Sequence, residues 1–161
     1  MNKNLKIVTF AVLFCLFGSA LHAQIIGLGS KFDKKAMFQA TFNAPLIFDK
    51  DKPYDVALGI DYTTGNKSVP SGLQVQVTGM IFLDEGRNKS HLLSAGVTTG
   101  YLFDFNTNFD NQFRVSPHLY LELFPVYIKA GYDYSMPLQK GTPFVSIGIV
   151  GGYMFRHFSI M

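Results

Sequence analysis

Cysteine is nearly absent from this chain, and its one occurrence lies in a segment that we expect to be removed. Cys15 falls within an N-terminal stretch that begins with Lys3 and Lys6 and continues as an apolar core over residues 7–17. That core is too short to span a bilayer, and small residues follow it. We therefore predict a cleavable signal peptide over residues 1–23, and an exported chain without disulfides or thiol chemistry.

An excess of charge of one sign is also lacking. The chain has 14 basic and 11 acidic residues, and removal of Lys3 and Lys6 leaves 12 basic residues, a balance of +1. It contains no run of lysines or arginines and no basic residues interleaved with aromatics. Nucleic acid is therefore not an expected partner. The remaining residues 24–161 are enough for one domain.

The main pattern in the sequence is an alternation of apolar and polar side chains. Between Tyr54 and Tyr62 the two tyrosines, Val56, Leu58 and Ile60 would share one strand face, opposite Asp55, Ala57, Gly59 and Asp61. The same period recurs in segments 24–32, 36–48, 73–83, 91–105, 113–123, 126–135 and 145–155. The pattern predicts about eight β-strands, separated by polar, Gly- or Pro-containing turns.

The charged residues of these segments all fall on the polar face: Asp55, Asp61, Asp104, Arg114, Glu122, Lys129 and Asp133. A lysine or arginine facing lipid at the midplane would cost about 2–4 kcal/mol, so this partition suits a membrane wall. We therefore predict an all-β fold, a closed antiparallel up-and-down transmembrane β-barrel of about eight strands. An aromatic girdle at the interfaces is expected from tyrosines on the apolar face, namely Tyr54, Tyr62, Tyr101, Tyr132, Tyr134 and Tyr153.

A leader, alternating strands, short turns and the terminal aromatic strand 153–158 together resemble the small outer-membrane β-barrel family of the OmpX and OmpA-barrel kind, of Bacteroidota type. The resemblance covers residues 24–161. It implies a place in the outer membrane of a Gram-negative envelope, with membrane lipid or lipopolysaccharide and the barrel-assembly machinery as partners. In this family the chain usually ends on the aromatic residue, whereas here Ser159, Ile160 and Met161 follow Phe158.

Pro125 indicates a tight hairpin, and that hairpin predicts contacts inside the barrel. With Pro125 and Val126 as the central residues, Glu122 would lie opposite Lys129 and His118 opposite Asp133. Arg114 lies further along the same inner stripe. Because buried charges need partners, these five polar residues predict a lumen network that fills and locks the barrel.

His157 and Ser159 are the only candidates for catalysis. They would share the lipid-facing side of the last strand, as in the His-x-Ser element of the lipid A 3-O-deacylases. Those enzymes need an acid downstream to orient the histidine, and Glu122 would point into the lumen instead. We therefore expect no enzyme activity, and no motif predicts a cofactor or a metal site.

The function predicted from the sequence is an integral outer-membrane protein with a structural or envelope-interaction role, since eight strands leave no room for a wide pore. With both termini periplasmic, the connections near residues 33–35, 64–72, 105–111 and 137–142 would face outward. Two alternatives stay open. One is the deacylase-like enzyme, and the other is a soluble exported barrel that binds an apolar ligand, as lipocalins do. The lipocalin-like barrel would need the Tyr54/Tyr62 face inside and the Lys129/Asp133 face in water.

Overall fold

Eight strands make up the part of the chain that the computed structural model describes, residues 25–47, 52–85, 91–105 and 109–151. The predicted signal peptide lies outside the described residues. Within them, no helix is long and apolar enough to span a membrane. The strands are β1 (Ile25–Asp33), β2 (Lys35–Pro45), β3 (Tyr54–Thr63), β4 (Gly72–Glu85), β5 (Leu92–Asp104), β6 (Gln112–Leu123), β7 (Val126–Ser135) and β8 (Lys140–Gly151).

The strands form a closed barrel in which each pairs with its sequence neighbour and β8 pairs with β1. All pairs are antiparallel, so the predicted fold class is confirmed. Two glycines meet at the seam between β1 and β8, where Gly29 is the register partner of Gly148. A Cβ on Gly29 would lie 2.7 Å from the Cα of Gly148, so the seam leaves no room for a side chain at this point.

The barrel has two unlike ends. At one end, here called the hairpin end, lie the connections β1–β2, β3–β4, β5–β6 and β7–β8. The other, the terminal end, holds the start of β1, the finish of β8 and the three remaining connections. Three of the predicted outward connections coincide with hairpin-end connections. The fourth, predicted at 137–142, is shorter because β8 begins at Lys140, and Pro143 lies within the strand opposite Tyr132.

The predicted register of the β6–β7 hairpin is wrong. Phe124 and Pro125 form the two-residue connection, so Leu123 pairs with Val126, Glu122 with Tyr127 and His118 with Gly131. Glu122 is therefore not opposite Lys129, and His118 is not opposite Asp133. A register change of two residues keeps every side chain on its own face, so alternation in the sequence cannot detect it.

Each strand turns its apolar face outward and its polar face inward. Ile60, Val77, Leu119 and Ile147 are between 41% and 55% exposed, whereas Asp133 is 6% exposed and Glu122 is 0% exposed. A lipocalin-like barrel would need the reverse arrangement. That alternative is wrong for this chain, because Tyr54 faces outward and Asp133 faces the lumen.

Candidate functional site: the barrel interior

Asp133 on β7 is the centre of a charged cluster that joins three strands. Its Oδ2 accepts a hydrogen bond from the ammonium of Lys31 on β1 at 2.5 Å. Arg114 Nη1 on β6 lies 3.6 Å from the same oxygen, and Ser116 Oγ donates to Oδ1 at 2.6 Å. All four side chains are buried. Charge-assisted hydrogen bonds of this kind are about twice as strong as neutral ones, so the cluster ties β1, β6 and β7 together across the lumen.

Ser116 and Asp133 lie opposite each other at a break in the backbone pairing of β6 and β7. The register partners of β6 and β7 run from His118–Gly131 to Val115–Tyr134, with no pair at positions 116 and 117. Proline has no backbone N–H to donate to the ladder. The side-chain hydrogen bond from Ser116 to Asp133 therefore joins the two strands where their backbone pairing is interrupted.

A second polar cluster surrounds Asp61 on β3. Gln39 Nε2 donates to both carboxylate oxygens, at 2.9 and 3.0 Å, and the hydroxyl of Thr41 donates to Oδ1. Further along the wall Gln76 Nε2 donates to Asn43 Oδ1 at 3.2 Å, and Gln74 Nε2 donates to Gln76 Oε1 at 3.1 Å. These residues are on β2, β3 and β4, so the second cluster fastens the opposite side of the barrel.

Lys129 lies between the two clusters. Its ammonium is 5.8 Å from the ring centre of Phe144, and Lys31 Nζ lies 4.4 Å from the same ring. Both lysines and both aspartates, Asp61 and Asp133, line one small cavity of about 10 Å³. Lys129 also lines a cavity of about 50 Å³ with His118 and Tyr127, which has room for about three or four water molecules.

An apolar group lies inside the barrel towards the terminal end: Met80, Phe82, Leu92, Tyr120, Tyr127 and Val150. The rings of Tyr120 and Tyr127 stack with centroids 5.8 Å apart. The hydroxyl of Tyr120 donates to Glu122 Oε2 at 3.0 Å. Glu122 thus lies beside this apolar group, near the terminal end.

The β3–β4 connection folds into the mouth of the barrel at the hairpin end. Val69 is 1% exposed and Ser71 is 0% exposed. Arg114 Nη2 donates to the carbonyl oxygen of Pro70 at 2.9 Å, and Ser71 N donates to Asp104 Oδ1 at 3.1 Å. Arg114 therefore contacts both the connection and the Asp133 cluster. We call residues 64–71 the mouth loop.

The sequence-predicted lumen residues all face the interior, but they do not form one group. Arg114 and Asp133 form an ion pair, and Lys129 lines the small cavity beside them. His118 forms a hydrogen bond with the carbonyl oxygen of Ser116 at 3.0 Å. Glu122 lies near the terminal end, where it accepts from Tyr120. Lys31, the closest partner of Asp133, is not among the lumen residues predicted from the sequence. Its inward position could have been predicted, since Lys31 lies between the outward residues Ser30 and Phe32 in the weakly alternating first strand.

Most of the tyrosines expected in a girdle cluster near the hairpin end. Tyr101, Tyr132 and Tyr134 are exposed there and Tyr62 is half-buried, whereas Tyr54 is exposed near the terminal end. Tyr153, His157 and Ser159 lie outside the described residues. Among the described residues, no group of three or more His, Cys, Asp or Glu could hold a metal ion.

These features define a closed eight-stranded up-and-down β-barrel with an apolar outer wall and a polar interior. Its fold is similar to that of the N-terminal β-barrel domain of Pseudomonas aeruginosa OprF, known from a crystal structure. The TM-score is 0.50 at 15% sequence identity, and the match covers 80% of this chain and 96% of the OprF domain. No family model and no curated protein gives a significant match. At this identity the likeness concerns the fold.

Proposed function

We propose that the chain is an integral outer-membrane β-barrel protein, exported through residues 1–23, with a closed polar lumen and a structural or envelope-interaction role. The observation that carries this proposal is the partition of side chains. Lys31, Asp61, Arg114 and Asp133 lie inside the barrel, and the outer wall is formed by exposed aliphatic and aromatic residues. Such a wall would be unfavourable in water and suits hydrocarbon.

The barrel is too well filled to serve as a general-diffusion pore. The mouth loop closes the hairpin end, and the Tyr120–Tyr127 stack lies in the apolar group towards the terminal end. Between them, the Asp133 cluster and the Asp61 cluster line the lumen and leave cavities the size of a few water molecules. A barrel of eight strands is wide enough for side chains but not for an aqueous channel. These features support a role for the barrel as a rigid wall element.

The proposed orientation places the terminal end in the periplasm and the hairpin end outside. Up-and-down barrels of this class have short periplasmic turns and longer outer connections. Here the connections do not distinguish the two ends, since those at the terminal end have eight, six and two residues and those at the hairpin end have one, eight, seven and four. The orientation therefore rests on the resemblance to small outer-membrane barrels, in which both chain ends are periplasmic. Outer-membrane lipid and the barrel-assembly machinery are the partners that follow from this placement.

Heat-modifiability tests the proposal directly. The exported chain, folded in detergent, is run on SDS gels with and without boiling. We expect the unboiled sample to migrate at a different position from the boiled sample, because a closed barrel stays folded in SDS until it is heated. A chain that stays soluble and monomeric in plain buffer and shows no such shift would contradict the proposal. Urea-unfolded protein run beside it shows the position of the open chain.

A further inference from the structure

Four exposed lysines lie on three of the four hairpins that surround the hairpin-end mouth. Lys34 and Lys35 lie at the β1–β2 turn, Lys67 in the mouth loop and Lys140 at the start of β8, and all four are exposed. Because β8 pairs with β1 and β2 pairs with β3, their three hairpins are neighbours around the barrel. We call these four residues the basic arc.

The remaining hairpin, β5–β6, has the opposite charge. Its charged residues in the described part are Asp104 and Asp110, and Asp110 is exposed. Asp104 is half-buried and accepts hydrogen bonds from the backbone N–H groups of Ser71 and Phe109. The exposed lysines of this end therefore lie on three neighbouring hairpins, and the described charged residues of the fourth are acidic.

Aromatic side chains lie directly below the basic arc on the outer wall. Phe32, Phe38, Tyr132 and Tyr134 are exposed, and they belong to β1, β2 and β7, the strands that lead into the same turns. Tyrosine at such a height places an apolar ring towards hydrocarbon and its hydroxyl towards the headgroups. Cations immediately above such a belt lie at the level of lipid phosphates.

We propose that the basic arc binds the phosphates of lipids in the leaflet at the hairpin end, with the aromatic belt against their acyl chains. Four ammonium groups spread over three hairpins match a lipid that carries more than one phosphate better than a singly charged headgroup. Lysine binds phosphate as a point charge and needs no shaped pocket. This inference rests on the proposed function, because it requires the outer wall to be in a membrane.

The backbone of the β1–β2 turn allows an informative substitution. Lys34 has φ 56°, in the left-handed region that glycine and asparagine adopt more readily than lysine. Lys34→Asn therefore removes a charge without a conformational penalty. The test variant combines Lys34→Asn with Lys35→Gln, Lys67→Gln and Lys140→Gln. Lys52→Gln, an exposed lysine of the β2–β3 connection, is the matched control.

Native mass spectrometry of the folded barrel in detergent, titrated with bis-phosphorylated lipid A, measures lipid retention. We expect retention to weaken roughly fivefold for each lysine removed, to weaken with added salt, and to be unchanged in Lys52→Gln. Monophosphorylated lipid A should bind less tightly, and inorganic phosphate at millimolar concentration should not displace the lipid.

Equal retention by the four-lysine variant and the wild type would overturn the inference, as would retention that is insensitive to salt or to the number of phosphates. Displacement by inorganic phosphate would overturn it too, since the arc would then bind free anions. Each variant is also run unboiled on an SDS gel. If the four-lysine variant still shows the heat-dependent gel shift and binds lipid as the wild type does, only this inference is rejected. If the wild type itself shows no heat-dependent shift, the proposed function is rejected. If the four-lysine variant does not fold, Lys34→Asn alone and the salt dependence of the wild type decide.

Discussion

At the scale of single residues, Asp133 has the largest number of charged partners described in the lumen. It compensates Lys31 at 2.5 Å and Arg114 at 3.6 Å, and it also accepts from Ser116. Removal of this buried carboxylate alone is expected to destabilise the barrel, because the charges of Lys31 and Arg114 would remain in the interior without a partner of opposite sign.

The first prediction concerns that carboxylate. Asp133→Asn should lower the free energy of unfolding by about 3–5 kcal/mol, because it leaves two buried cations uncompensated. The loss of stability is measured as the decrease in the urea concentration at which the band of the folded, unboiled barrel disappears from SDS gels. The double variant Lys31→Met/Asp133→Leu should lose less than Asp133→Asn, since it removes a charge of each sign. A double variant that loses more would contradict this account of the cluster.

At the scale of strands, the β1–β8 seam depends on the absence of side chains. Gly29 and Gly148 face each other there, and a Cβ on Gly148 would also lie 2.8 Å from the ring of Tyr127. The seam is what converts a sheet into a barrel, so a change here affects closure.

The second prediction compares two glycines. Gly29→Ala should destabilise the barrel by about 1–3 kcal/mol, because the added methyl group overlaps the backbone of β8. Gly79→Ala is the control, since nothing lies within 4 Å of its Cβ position, and it should be neutral or slightly stabilising. Urea midpoints of the two variants provide the comparison. Equal midpoints would show that the seam can open to accommodate the methyl group.

The mouth loop is the second feature at this scale, and it predicts restricted access to the lumen. Thr98 is 1% exposed and lines the cavity beside Asp133. In a chain without Cys15, Thr98→Cys should react slowly with a small charged thiol reagent, and replacing residues 65–70 by Asn-Gly should make it react quickly. Lys67→Cys, exposed on the loop itself, should react quickly from the start. Fast labelling of Thr98→Cys with the loop intact would show that the loop is not a barrier.

At the scale of the whole molecule, the proposed closure of the lumen at both ends predicts the electrical behaviour. The wild type should give no stable conductance of porin size in planar bilayers, since eight strands leave room for side chains but not for an aqueous channel. The loop-shortened variant should also give none, because it keeps the apolar group with Tyr120 and Tyr127 towards the terminal end. Steady channels from the wild type would contradict the packed interior.

The sequence was sufficient to predict the fold class, the strand faces and the inward position of the charges. Alternation carries that information, as the strand from Tyr54 to Thr63 shows. It could not give the offset between β6 and β7, because pairing Glu122 with Tyr127 or with Lys129 leaves the faces unchanged. Nor could it reveal the pair Lys31–Asp133 or the inward fold of Pro70, which depend on closure of the barrel.

The pair of Lys31 and Asp133 also has a consequence for assembly. The two residues are 102 positions apart, on the first and the seventh strand. While the chain folds, the charge on Lys31 therefore has no carboxylate from β7 until both strands, which lie almost a whole barrel apart in the sequence, are in place. Contacts this distant form late, because a long segment of chain must be ordered before they bring any gain. We expect an incomplete barrel to retain an open edge and an accessible interior until β1 and β7 are both in place, so that neutralisation of Lys31 by Asp133 is a late step of assembly.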